Sequence, residues 1–264
     1  MINCAPGAKN TNVTCYSMSL LMSIARSYNK NRCHGKECIK ITGKNKKELY
    51  NAIKKTMKDC NNDMCWVEQK YIRNSLSKKD IHEASFNTFR PKPDSKKENN
   101  WLLSTIDITN VLRQYQKVYP DFKSFGALPN NFNHSQFITK ITKPGKYKHF
   151  AFVINDDPDT MDGSHWVALY IKLSGKNAWI EYYDSYGQKP LPHVAQFIKK
   201  IKNALESEGI KITLKINKHR LQKGNTECGM FAINFIIERL KGKCFECIKK
   251  NDKEVQVYRQ KYFS

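Results

Sequence analysis

Gly163-Ser164-His165-Trp166-Val167-Ala168-Leu169-Tyr170-Ile171-Lys172-Leu173-Ser174-Gly175-Lys176-Asn177-Ala178-Trp179-Ile180-Glu181-Tyr182-Tyr183-Asp184-Ser185 holds two aromatic and β-branched runs on either side of a turn sequence. Such runs form strands, so 165–173 and 178–183 are predicted to pair as a hairpin through 174–177. An antiparallel turn at 174–177 sets residue 167 opposite residue 184. His165 lies two residues further out, so the register carries an imidazole and the Asp184 carboxylate to one end of the sheet.

Working outward, a strand is predicted at 149–154 and another at 210–216, with helices at 101–118, 192–207 and 228–240. Helix, antiparallel strands, helix, strand, helix is an α+β order, and no βαβ repeat is read from it. The first 90 residues read as a helical extension. One helix is capped by Thr14 with Leu20, Leu21, Ile24, Ala25 and Tyr28 on a stripe, one spans 45–58, and a third starts at Asp63 with Trp66, Val67, Tyr71 and Ile72 apolar. Residues 91–100, charged and Pro-bearing without periodicity, read as a linker to a domain at 101–264.

The 228–240 helix opens with Cys228-Gly229, six residues after Gln222. A helix N-terminus presents unpaired amides and a positive dipole end, which favour a thiolate and an oxyanion. Cys228 is therefore a candidate nucleophile, His165 its base, Asp184 the acid that orients the base, and Gln222 an amide donor to the oxyanion. Each residue alone has a plain packing role available; the hairpin register is what makes the set chemical.

Composition sets the remaining bounds. The 46 Lys+Arg against 24 Asp+Glu give a net charge of +22, a surface suited to polyanions. The tracts Lys44-Asn45-Lys46-Lys47, Lys54-Lys55, 140–148 and Lys199-Lys200-Ile201-Lys202 lack aromatic interleaving, so contact with DNA would be non-specific. No apolar run approaches membrane-spanning length, and the start of the sequence lacks a signal-peptide pattern, so a reducing, cytosol-like setting is expected. Nine cysteines, an odd count, suit a free thiol. Cys33-His34-Gly35-Lys36-Glu37-Cys38 and Cys244-x-x-Cys247 have no standard zinc spacing, so no metal or cofactor is expected. Small buried thiols are expected at Cys4, Cys15, Cys33, Cys38, Cys60 and Cys65, with one or two late disulfides as the alternative.

His165-Trp166, Asp184, Gln222 and Cys228-Gly229, in that order, resemble the cysteine protease clan of the SUMO-deconjugating and adenovirus proteases. The stretches Gly163 to Ala168, Ile180 to Gly187, Asn225 to Met230 and Trp101 to Ile108 are similar to proteases of large nucleocytoplasmic DNA viruses, among them the African swine fever virus polyprotein protease. The likeness is weaker over 1–90, where Cys4-Ala5-Pro6-Gly7 and Thr14-Cys15-Tyr16-Ser17 look like a giant-virus extension. The resemblance implies a papain-like or adenain-like core, a central mostly antiparallel sheet flanked by helices. It also implies cleavage after Gly-Gly in viral structural precursors during virion maturation, with Trp166, Trp101 and Gly229 at the substrate. Two indoles that wall a tunnel pass glycine and stop a Cβ. The swine fever relative has Asn where this sequence has Asp184, so a fuller triad is expected here. The adenovirus relative adds a reading of the basic surface as riding on packaged DNA. A monomer in the virion and host cytoplasm is expected. The alternatives are a deconjugase of ubiquitin- or SUMO-like modifiers and a non-catalytic DNA-binding virion protein.

Overall fold

A computed structural model describes residues 13–33, 38–41, 45–60, 63–87 and 101–263, in two compact units, Met1–Pro91 and Lys92–Ser264. The expected linker at 91–100, the Cys4 stretch and Lys44 lie outside the described residues.

The first unit is helical: α1 (Met18–Arg32), α2 (Lys46–Thr56), the short α3 (Asp63–Glu68) and α4 (Lys70–Arg73), and α5 (Lys78–Asn87). Ser17, not Thr14, caps α1, accepting from the Leu20 amide. Thr14 instead donates its hydroxyl to Asp63 at 2.5 Å, a non-local bond that sequence spacing does not announce. Leu20, Leu21, Ile24, Leu49, Ile53, Trp66 and Ile72 form the core, and the Tyr50 ring packs 5.3 Å from Trp66. Cysteines depart from expectation: Cys33–Cys38, Cys60–Cys65 and, in the second unit, Cys244–Cys247 are disulfide-bonded, and Cys15 is likewise bonded. Cys33–Cys38, Cys60–Cys65 and Cys244–Cys247 are each close in sequence, so a local turn suffices to bring the sulfurs together. Among the described residues, Cys228 is the free cysteine, and no group of three or more metal-ligating side chains occurs.

The second unit follows the α+β class, a central sheet flanked by helices. Its elements are α6 (Thr105–Val118), β1 (Phe122–Leu128), α7 (Ser135–Thr142), β2 (His149–Asn155), β3 (Trp166–Ser174), β4 (Asn177–Tyr183), α8 (Pro192–Ser207), β5 (Lys211–Ile216), α9 (Cys228–Leu240), a 3-10 turn (Phe245–Cys247) and α10 (Asp252–Tyr262). The sheet order is β1-β2-β3-β4-β5. β2–β3 and β3–β4 are antiparallel, while β1–β2 and β4–β5 are parallel with α7 and α8 in their crossovers. The sheet is thus mixed, and the expectation of no βαβ unit is corrected. β1 and α7 were not read from the sequence, and with β1 unseen the first parallel pair was invisible. β4 and α8 were read correctly, but a parallel return to β5 is a tertiary fact.

Alternation divides the sheet into two faces. Phe150, Phe152, Val167, Leu169, Ile171 and Ile180 pack with Phe137 of α7 and Phe197 and Ile201 of α8. On the other face Tyr183 stacks on Phe235 of α9 at 4.4 Å. There Arg239 of α9 grips Glu181 of β4 with two bonds, 2.6 and 2.9 Å, and Glu181 is 1% exposed. A two-pronged buried ion pair fixes the orientation of α9 against β4, which in turn fixes where Cys228 emerges. No helix among the described residues is long and apolar enough to cross a membrane.

Candidate active site

The hairpin register is as the turn required: Ala168 faces Tyr183 and Leu169 faces Tyr182. Asp184 follows the last residue of β4 and His165 precedes the first of β3, so both leave the sheet at the same end. Gly163 (φ +86°) permits the turn before His165; a Cβ there would lie 2.6 Å from the Asn155 side-chain nitrogen. The imidazole Nε2 lies 2.8 Å from Asp184 Oδ1. The carboxylate is itself held by the backbone N–H groups of Tyr186 (2.8 Å) and Gln188 (3.0 Å), and Asn217 donates to the Asp184 carbonyl at 2.6 Å.

Cys228 is the second group that raises the His165 pKa, through side-chain hydrogen bonding and charge. With Nε2 engaged by the acid, Nδ1 is the ring nitrogen left for sulfur, the geometry in which one proton passes between thiol and base. Burial opposes the imidazolium, but bonds to Asp184 and Cys228 outweigh it, and the His165 pKa is pushed up to about 10. A second carboxyl, Asp156, stands just past β2, and its amide donates to the His165 carbonyl at 2.9 Å. Burial raises the Asp156 pKa to about 6; the His165 charge opposes that rise, and the Asp184 charge adds to it.

Cys228 is the first residue of α9 and is 2% exposed. Gly229 packs against Leu103: a Cβ there would meet the Leu103 Cβ at 3.0 Å, which is why the nucleophile is followed by glycine. Gln222 is fully buried, with Oε1 accepting from Ser185 Oγ at 2.6 Å. Its Nε2 donates to the Gly224 carbonyl at 2.8 Å and lies 3.3 Å from the Tyr186 hydroxyl. Trp166 donates its indole N–H to the Leu103 carbonyl at 2.9 Å. Trp101 lies outside α6, which starts at Thr105 behind a Ser104–Asp107 capping box, not at 101 as expected. Its ring carries the Arg259 guanidinium at 4.4 Å and meets Phe263 edge-on at 5.6 Å. His165 and Asp184 are therefore joined directly, and Cys228 acts on the same imidazole. Trp166 joins the Trp101 segment through the backbone of Leu103, and the Trp101 ring is placed against α10.

A family model described as YopJ Serine/Threonine acetyltransferase matches residues 117–261. A protein of Acanthamoeba polyphaga mimivirus, a thiol protease by name, is 30% identical over 281 residues, covering 96% of this chain and 89% of that protein. The chain belongs to the viral thiol proteases, and its residues 117–261 to the YopJ acetyltransferase family. An African swine fever virus protein named SUMO-1 cysteine protease is 25% identical over 225 residues, covering 76% of this chain and 81% of that protein. The crystal structure of a protease of that virus shares the fold, with a TM-score of 0.73 at 20% identity over 100% of this chain and 96% of that one.

In this viral thiol protease two sets of residues at the site went unread in the sequence. Tyr186 stacks on His165, ring centroids 4.7 Å apart and planes 22° off parallel. Helix α10 braces the loop before the nucleophile. Asp252 accepts the Lys223 amide at 3.0 Å and the Gly224 amide at 3.2 Å, and Gln256 donates to Glu227 at 2.8 Å. Arg259 donates to the Trp101 carbonyl at 2.8 Å. Burial would raise the Glu227 pKa, but bonds from Thr226 and Gln256 hold it below the usual range. The signal for α10 was present as a capping box, Asn251-x-x-Glu254. Nothing in spacing alone announces Tyr186.

Proposed function

We propose that this cysteine protease is an endopeptidase that cuts after Gly-Gly in viral structural precursors during virion maturation, with Cys228, His165, Asp184 and Gln222 as its catalytic set. The observation that carries the reading is a single imidazole bonded to the Asp184 carboxylate at 2.8 Å, with Cys228, at the start of α9, as the other group that raises its pKa. His165 takes the thiol proton as sulfur attacks the carbonyl carbon. The Cys228 N–H and the Gln222 amide hold the oxyanion, which requires the amide to turn from a present partner. Collapse breaks the C–N bond, and His165 passes its proton to the leaving amine. Water, deprotonated by His165, then attacks the thioester, and the acid and free thiol are released.

Shape supports the Gly-Gly part. Cys228 is 2% and His165 9% exposed, with Leu103 packed behind Gly229 and Trp166 pinned beside it, so a slim main chain reaches sulfur most easily. Virion and host cytoplasm are the setting this reading implies, with a monomer as the working form. The basic tracts fit non-specific contact with packaged DNA.

Two other reactions have specific support. A SUMO-1 protease among the relatives favours a deconjugase acting on a Gly-Gly tail, and the acetyltransferase family match favours acyl transfer to a hydroxyl. One set of reactions separates them: a Gly-Gly-X peptide from a structural precursor, a SUMO fusion, and acetyl-CoA with a Ser/Thr peptide. The expected result is hydrolysis of the first, faster than of the second, with no acetylation, and loss of all turnover in Cys228→Ala. Turnover that survives Cys228→Ala overturns the mechanism; preference for the fusion or for acetyl-CoA overturns the substrate.

A further inference from the structure

We propose that Tyr186 is a positioning residue for this reaction, its ring holding the His165 imidazolium and its hydroxyl holding the Gln222 amide where the oxyanion will form; the inference rests on the cysteine protease mechanism above. The Tyr186 backbone N–H donates to Asp184 Oδ1 at 2.8 Å, the same oxygen that faces His165. Its hydroxyl donates to the Gly224 carbonyl at 2.8 Å and lies 3.3 Å from Gln222 Nε2.

The stack has two consequences. A near-parallel ring at 4.7 Å blocks rotation of the imidazole, so Nε2 stays on the acid and the other nitrogen is left for the thiol. An aromatic face also favours a cation over a neutral ring, so it stabilises the imidazolium that forms with the thiolate. The hydroxyl acts differently. Gln222 has two amide hydrogens, and the bond to Gly224 at 2.8 Å is shorter than the approach to Tyr186 at 3.3 Å. The longer one is given up first when an oxyanion arrives, so the hydroxyl keeps that hydrogen aimed but available. Ser185, bonded to Gln222 Oε1 at 2.6 Å, fixes which end of the amide faces Tyr186.

Other charged groups around the imidazole are Asp184 after β4, Asp156 after β2, Cys228 on α9, and Arg220, whose guanidinium lies 5.2 Å from the Tyr186 ring. Burial pushes the Asp156 pKa up to about 6, so the alkaline limb is the one that reports the stack.

The test uses the full chain with Tyr186→Phe and Tyr186→Leu. It follows hydrolysis of the Gly-Gly-X peptide and, separately, alkylation of Cys228 by iodoacetamide across pH. Tyr186→Phe is expected to lower kcat by about ten-fold at unchanged KM, with the alkylation profile of wild type. Placed on Gln222→Ala it should cost nothing further. Tyr186→Leu is expected to move the alkaline limb down by about half a pH unit, a shift that Phe at the same position does not cause. A Tyr186→Phe enzyme with wild-type kcat overturns the hydroxyl role. A Tyr186→Leu enzyme that melts like wild type and keeps its alkaline limb overturns the stacking role; should Leu not fold, Phe alone still decides the first. An inert wild type would defeat the protease mechanism instead, so the two failures are distinct.

Discussion

The two arms of the site are built in opposite ways. His165 and Asp184 sit on one hairpin, 19 residues apart, and a four-residue turn with its register suffices to join them. Cys228 is held by a loop whose amides bond to Asp252, 28 and 29 residues on, while Arg259 of the same helix ties in Trp101 from 158 residues away. The base and acid are thus placed by local pairing, whereas the nucleophile is placed by the closure of the whole second unit. Local pairing forms early and tolerates distant change; closure depends on every element that contributes to it.

The largest expected effect is on the hairpin arm. Asp184→Ala removes the hydrogen bond that orients His165 and stabilises its cation, and kcat/KM should fall roughly a hundred-fold or more. The pH dependence gives a sharper reading. Burial alone would lower the His165 pKa; the bonds to Asp184 and Cys228 lift it from 6.5 to about 10. A raised folded-state pKa stabilises the fold fully below the unfolded value and is lost as pH climbs through the folded one. Unfolding by urea at pH 6 and pH 10 should therefore show a smaller pH loss in Asp184→Ala than in wild type. Equal losses would mean that the carboxylate does not hold the imidazolium.

Legibility in the sequence follows the same division. Strands β2, β3 and β4, helices α8 and α9, and the meeting of His165 with Asp184 could be read because period-2 and period-3.6 patterns and a short turn are local signals. β1, with a glycine at residue 126 (φ +75°) and a register shift between Ser124 and Ala127, hides its alternation. Helix α10 has an apolar face too sparse to stand out, and its value lies in Asp252, Gln256 and Arg259, polar groups whose partners are set by tertiary closure. The local disulfides rank only as the alternative in the sequence for a different reason. Short Cys spacing permits a zinc half-site, a buried thiol or a loop cross-link, and only coordinates choose among them.

A middle-sized effect is expected where the two arms touch. Gly229→Ala brings a methyl to 3.0 Å from Leu103 Cβ, and Leu103 carries the carbonyl that pins the Trp166 indole. Overpacking of this kind costs about 1–3 kcal/mol. The melting temperature should drop, and because the Trp166 anchor shifts, hydrolysis of Gly-Gly-X should lose selectivity over Gly-Ala-X. Adding Leu103→Ala should recover part of the stability. A double variant no more stable than Gly229→Ala would show that the strain lies elsewhere.

The smallest effect tests whether the nucleophile arm depends on its distant brace. Asp252→Ala leaves the backbone amides of Lys223 and Gly224 without their acceptor. Those amides lie near the surface, so water replaces much of the bond and the stability loss should be about 1 kcal/mol. Activity should fall more than stability suggests, about five-fold in kcat, because the Gly224 carbonyl at the far side of that peptide holds both Gln222 and Tyr186. His165 and Asp184 meet this network only through the ring and backbone N–H of Tyr186, which do not bond to Gly224, so the alkaline limb of Cys228 alkylation should stay where wild type has it. A shifted limb would mean that the two arms are coupled through the loop, and the division between local and long-range construction would fail at the point where it is weakest.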